Sequence, residues 1–537
     1  MVLYFTAYAP RTPTYPDEIS ILKLNGRYVW DLGKFSSLYP FCESAQSVSY
    51  PTAIAPIAWL NHVLVSWISN PSQMRVFGIA TFLTFLLGLL LSLAIQQKWK
   101  QIFLDSGPRI IGIALLGVSP AMFHLLRSEM FMSALLSVLL FFSLLVVKSQ
   151  KIRNFWLGVF LLSFFCLLSG LFLFQHPKAL FFLPLLAVLG WQALRPFQFS
   201  LRLIFVGHLG VIAISSYYLL QLRLNCPEME ISKVSALNTY LNPIDFFSKP
   251  ADFLFQFFRN LFGFYEYFTF FTFSSKYMAD WFPGTKMPDH SYFFYPLNFV
   301  MVGTLIIMSI LILAQAFKRL FLSKNWMKED PISLALLFLF FLLTGLQTTK
   351  NFYELGITLP LLCFLSLMNE LQPSNLYKFR PHGQPKFALS FASLVSLSLI
   401  CLMYLLHSSG TYEKSNYLTQ KEYKDFTANE ELQKIQHQCF GEESPKNRVV
   451  VDDLTYFLYL KTENPIFVTY ILNQATLMKT AEPALFIGQL HEIKTEGVFI
   501  RCSQIPKEFY QKLNQFGNIC CISSREIKEE LAKKSQP

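Results

Sequence analysis

The sequence predicts an α-helical polytopic membrane protein of about ten spans, with a small extracytoplasmic α/β domain at its C-terminus. Three observations predict it. Hydrophobic residues make up 53% of the 537 residues, charged residues only 15%, and phenylalanine occurs 56 times, a composition outside the ordinary soluble range. Apolar runs of spanning length recur between residues 76 and 407. After Ser408 the chain turns polar and charged, with short apolar runs between helical stretches.

Met1 to Tyr8 (MVLYFTAY) is apolar but too short to cross a bilayer, which takes about 20 residues, and too short for a secretory signal. It reads as the stub of a first membrane helix, so a first span is expected to be missing from the chain. Tyr15-Pro16-Asp17-Glu18 follows, an acidic pair ahead of the spans. Residues 52–69 are apolar but interrupted by Pro56, Asn61 and His62, which predicts an interfacial helix. Spans are expected at about 76–96, 109–126, 130–147, 155–175, 179–194, 203–221, 298–317, 332–348, 351–368 and 387–407.

The basic residues orient these spans. Lys98, Lys100 and Arg109 share one loop, and Lys148, Lys151 and Arg153 share the next but one. Arg195 with Arg202, then Lys318, Arg319, Lys324 and Lys328, then Lys378, Arg380 and Lys386 continue the alternation. Cytoplasmic loops carry the excess of Lys and Arg, so residues 1–75, the loop 222–297 and the tail 408–537 are expected outside. Where the basic residues fall matters more than the formal charge of +11, and no basic run interleaved with aromatics points to nucleic acid.

Nine cysteines form no CxxC pair and no metal-finger spacing. Cys166, Cys363 and Cys401 lie in apolar runs as small core residues. Cys42, Cys226, Cys439, Cys502, Cys520 and Cys521 fall in segments expected outside, where disulfides are permitted. A bridge from Cys439 to Cys502, or from Cys502 to the Cys520/Cys521 pair, is open.

Three short external turns break the charge rule, each with one cation: Arg127 in the turn His124 to Glu129, Lys178 after Gln175-His176-Pro177, and Lys350 between Thr349 and Asn351. Snorkelling to lipid headgroups is one reading. The other is a phosphate held by charge-assisted hydrogen bonds at the membrane surface. Arg127 and Glu129 also suit a structural ion pair.

In their order and common side, these features resemble the C-type (GT-C) glycosyltransferase superfamily, nearest to bacterial relatives of protein mannosyltransferases and the aminoarabinose transferase of lipid A. Tyr15-Pro16-Asp17-Glu18 resembles the acidic motif after the family's first span. Ser49-Tyr50-Pro51-Thr52 with Ala55-Pro56 resembles its entry to an interfacial helix, and His124 to Met130 its Arg-x-Glu/Asp turn. Gln175 to Lys178 and Thr349 to Tyr353 resemble its later basic turns. The likeness covers about residues 10–370. Departures are the absent first span and His176-Pro177-Lys178 in place of a small-residue and Lys pattern, and the tail 408–537 matches no family motif.

The resemblance implies transfer of a sugar from a polyprenyl-phosphate donor to a lipid, glycan or protein acceptor on the outer face of a bacterial inner membrane. The acceptor hydroxyl loses a proton as it attacks, which requires a carboxylate base. Asp17 is the expected base, with Glu18 orienting it, an exchange of roles left open. Glu129 and Tyr15 are expected to position the acceptor, and Arg127, Lys178 and Lys350 to hold the donor phosphate. Read locally, Asp17 and Glu18 equally cap a helix starting near Ile19. Asp280, Asp289 and His290 in the long loop are candidate lid or metal residues, or else solvated. With no HExxH or similar motif, neither an obligatory metal nor a cofactor is expected.

Phe264-Tyr265-Glu266-Tyr267-Phe268 and Trp281-Phe282-Pro283-Gly284 suit headgroup level or sugar stacking. In the tail, Arg448 to Val451 precedes Asp452 and Asp453; these bind sugar or metal, or close a turn. Two rival readings remain: an O-antigen polymerase or ligase with its site in loop 222–297, and a transporter or flippase of lipid-linked sugars. A transporter would place charge within its spans, and these hold almost none.

Overall fold

A computed structural model describes residues 71–95, 128–148, 154–175, 177–224, 240–269, 306–318, 330–348, 350, 355–371, 429–441, 448–452, 455–459, 466–468 and 482–534, with isolated positions elsewhere. The chain divides into two compact units, one containing Phe77–Tyr217 and Val234–Thr411, the other containing Tyr412–Pro537. The expected spans 109–126 and 387–407 lie outside the described residues, as does most of 52–69.

The first unit is helical. Its described helices include α1 (Pro71–Ile95), α2 (Ser128–Lys148), α3 (Phe155–Gln175), α4 (Leu183–Ala193) and α5 (Phe199–Leu224). After them come α6 (Asp245–Ser248), α7 (Pro250–Phe262), α8 (Glu266–Thr269), α9 (Pro331–Leu346) and α10 (Leu355–Leu371). Among the described residues, α1, α2 and α3 each contain a stretch long and apolar enough to cross a membrane. Shorter apolar helices include α4, α9 and Ile306–Lys318.

These helices are apolar on every side because the outward faces need no water. Phe160 is 61% exposed and Ile214 72%, while Phe165 and Phe205 on the same helices are fully buried and meet edge to face at 6.1 Å. Small and hydroxyl residues let the backbones approach. Gly88 of α1 faces Ser137 of α2, and Ser143 Oγ donates to Leu189 O of α4 at 3.1 Å. Lys148 donates to Ile95 O, so the C-terminal ends of α1 and α2 lie together and the two helices run parallel.

The run 179–194 differs from the single helix expected. Pro177–Phe182 is a 3₁₀ helix and α4 starts only at Leu183, with Pro184 in its first turn. Pro lacks an N–H and fits a helix start, so two prolines seven residues apart punctuate the segment.

The tail is the α/β unit the sequence predicts. Strands β1 (Val449–Val451), β2 (Ile466–Phe467), β3 (Gly497–Arg501), β4 (Asn514–Phe516) and β5 (Ile519–Ser523) form one sheet in the order β2-β1-β3-β5-β4. β1 is parallel to β2 and β3, while β5 is antiparallel to β3 and β4. Helices α11 (Asn429–Phe440), α12 (Pro483–Glu492) and α13 (Ser524–Lys534) accompany it. All of β1 and β3 is buried, the pattern of strands covered on both faces.

Side chains alternate across a strand, and the faces sort accordingly. On one face Val450, Val498, Ile500, Cys520 and Ile522 pack with Phe486 and Leu490 of α12 and Ile527 of α13. On the other, Phe499 meets Phe440 of α11 at 6.1 Å and Tyr459 at 5.9 Å. The adjacent Cys520 and Cys521 therefore point to opposite faces, and each has its own partner. Cys502 bonds Cys520, one of the two pairings left open by sequence; Cys439 bonds Cys521 rather than Cys502.

Candidate functional site

Several polar groups of the first unit meet at one end of its helices. Glu129 stands in the first turn of α2, where a carboxylate complements the helix dipole, yet it is buried, 1% exposed. A buried carboxylate needs a cation or hydrogen bonds. Lys178, in the 3₁₀ turn after α3, brings its Nζ to 3.8 Å from Glu129 Oε1. The same ammonium lies 5.8 Å from the centre of the Tyr240 ring, within cation–π reach. Tyr240 also stacks on Phe181 at 6.2 Å.

Tyr240 forms a backbone bridge with Gln347, and Leu241 N–H donates to Leu346 O at 2.7 Å. That ladder ties the chain after α5 to the C-terminal end of α9. Gln347 in turn accepts from the Tyr267 hydroxyl through Oε1. Lys350 is buried and donates to Thr344 O at 2.5 Å and Gln347 O at 2.9 Å, carbonyls that the helix end leaves without intrahelical partners. Its Nζ sits 5.1 Å from the centre of the Tyr267 ring. Next to α2's first turns, Met132, Ser133, Leu136, Phe172, Phe182, Ile357, Pro360 and Leu361 line a small cavity.

Of the residues expected from sequence, Glu129, Lys178 and Lys350 thus come to one end of the unit, linked through Tyr240 and Gln347. Glu129 pairs with Lys178. Lys350 caps α9 while placing its charge beside Tyr267. Tyr15, Asp17, Glu18 and Arg127 lie outside the described residues, as do Asp280, Asp289, His290 and Asp453. Sequence reasoning passed over Tyr240 and Gln347. Gln347 did carry a signal, as the first polar side chain after the apolar run of α9.

In the second unit Asp452 closes a turn. Its Oδ1 accepts from Thr455 N–H at 2.9 Å, and Thr455 Oγ1 accepts from Asp452 N–H at 2.9 Å. Its Oδ2 accepts from Arg501 N–H at 2.6 Å and Nε–H at 3.1 Å, a buried ion pair joining the ends of β1 and β3. Among the described residues no group of three or more His, Cys, Asp or Glu side chains could hold a metal.

No protein-family model and no curated protein matches the chain. Among solved structures, the chain is similar to the archaeal oligosaccharyltransferase AglB from Archaeoglobus fulgidus, in complex with an inhibitory peptide and a dolichol-phosphate. Identity is 13%, the TM-score 0.41, and the match covers 91% of this chain but 66% of that one, just under two thirds. The likeness assigns no role to any residue here.

Proposed function

We propose that the chain is an integral-membrane glycosyltransferase that moves a sugar from a polyprenyl-phosphate donor to an acceptor on the extracytoplasmic face. The observation that carries this reading is the meeting of Glu129, Lys178 and Lys350, from distant parts of the sequence, around the Tyr240–Gln347 bridge. Two cations beside aromatic rings and a buried carboxylate suit an anionic leaving group and a hydroxyl-bearing partner. Fixed positive charge in a low-dielectric setting stabilises a departing phosphate more than it would in water. Lys350 acts through its field while bonded to carbonyls; Lys178 contacts the phosphate with Arg127.

Asp17 takes the acceptor's proton as its oxygen attacks the anomeric carbon, and the phosphate leaves from the opposite face, so the centre inverts. Glu18 orients Asp17, and Glu129 and Tyr15 position the acceptor. Among the described spans α1 to α3, charged groups stand at the ends, which supports surface chemistry over transport through the bundle. The two disulfides of the tail support an oxidising, extracytoplasmic location for it.

The test is sugar transfer by the full chain in proteoliposomes supplied with a polyprenyl-phosphate sugar. Asp17→Asn is expected to lower kcat by about 10²–10⁴-fold, the usual contribution of a general base. Lys178→Met is expected to cost about 10²–10³-fold, as for other donors to a developing anion. Transfer that survives Asp17→Asn overturns the assignment.

A further inference from the structure

The segment from Asp245 to Tyr267 carries three distinct faces. One is held by the bundle: Phe253 and Phe257 of α7 stack at 6.3 Å, Asn260 Nδ2 donates to Gly345 O at 3.1 Å, and Tyr267 donates to Gln347. Phe257 lies so close to Gly345 that a side chain there would collide with its ring. A second face of α7 is polar, with Asp252, Gln256 and Arg259 at spacings of four and three. The third is apolar: Phe255, Phe258 and Phe262 of α7 at spacings of three and four beside Leu254, with Phe247 of α6 before the helix and Tyr265 in the 3₁₀ turn after it. All six are exposed, Phe247 by 85%, Phe255 by 66% and Phe262 by 75%.

A free apolar face of this size on a helix of 13 residues, about 20 Å long, is costly in water. Three facts name what covers it. The stripe belongs to the same unit as the outward apolar faces of α1, α3 and α5, which lipid must cover. Its polar stripe runs alongside, as on a helix at an oil–water boundary. The helix is clamped where α9 ends, level with the polar cluster of Gln347 and Lys350, and Asp245, Lys249 and Asp252 are exposed at its far end.

We propose that this segment is an interfacial helix, seated with its phenylalanine stripe in the headgroup–acyl boundary of one leaflet. Through Asn260 and Tyr267 it holds the Tyr267–Gln347–Lys350 cluster at headgroup height. The inference stands whatever reaction the unit performs.

The experiment uses the full chain in phosphatidylcholine–phosphatidylglycerol nanodiscs, with cysteines outside the two disulfides replaced by serine. Nitroxides are placed by Phe255→Cys, Phe258→Cys, Phe262→Cys and, on the polar face, Asp252→Cys, all exposed positions. Collision with oxygen, which concentrates in lipid, is compared with collision with a water-soluble nickel chelate. The expected ratio of oxygen to chelate rates is above one at the three phenylalanine sites and below one at Asp252. Chelate prevailing at any phenylalanine site means water, and shielding from both relaxers means a protein cover; either result overturns the proposal.

Discussion

Glu129 is, at the residue scale, a buried carboxylate that depends on one neighbouring cation. Its burial strands a charge unless Lys178 stays beside it, and removing one partner of a buried pair costs about 3–5 kcal/mol. Glu129→Gln and Lys178→Met should therefore each lower the thermal unfolding temperature of the solubilised protein, and the double variant should recover most of the loss. Transfer activity separates the roles: a double variant that folds well but stays inactive places the pair in the reaction. A double variant regaining activity would make the pair structural only. The Asp452 carboxylate, by comparison, accepts from Thr455 and Arg501, which is the turn reading of that residue.

At the scale of elements, α13 begins with a capping box. Ser523 N–H and its hydroxyl both donate to Glu526 Oε2 at 2.8 Å, and the Ser523 hydroxyl accepts from Glu526 N–H. Partial burial raises the Glu526 pKa, but the Ser523 and Asn514 hydrogen bonds and the Arg525 charge outweigh it. The net value lies below the ordinary 4.5. A depressed carboxylate stabilises fully above its unfolded value and loses that contribution as pH falls through the folded one. Glu526→Gln should thus destabilise the tail at neutral pH, with the difference from the unsubstituted protein closing in acid below about pH 4.5, by thermal melts across pH. Ser523→Ala should cost about 1 kcal/mol. The S-x-x-E signature stands in the sequence as Ser523-Ser524-Arg525-Glu526, directly after the apolar strand β5. The 3₁₀ start of the fourth described helix was likewise written in Pro177 and Pro184.

For the whole molecule, the two disulfides join three stretches of the second unit, α11, the end of β3 and β5. They close separations of 82 and 18 residues, worth about 4.5 and 3 kcal/mol by chain entropy. Peptide mapping of the oxidised full chain should return Cys439–Cys521 and Cys502–Cys520, and reduction should lower the unfolding temperature of the tail. Recovery of Cys439 with Cys502 would contradict the face assignment of β5. The sequence could not choose among these pairings, since adjacent cysteines are equivalent until a strand sends them to opposite faces.

By itself the sequence determined that membrane-length apolar helices are followed by a polar unit of short strands and helices. Run length, alternation and composition are local properties that survive without knowing any contact. Only the tertiary structure decided which polar groups meet: Lys178 with Glu129 and Tyr240, Lys350 with the end of α9, and Tyr267 with Gln347. Those partners lie up to 80 residues apart, and their pairing is set by which helices pack together rather than by any spacing along the chain.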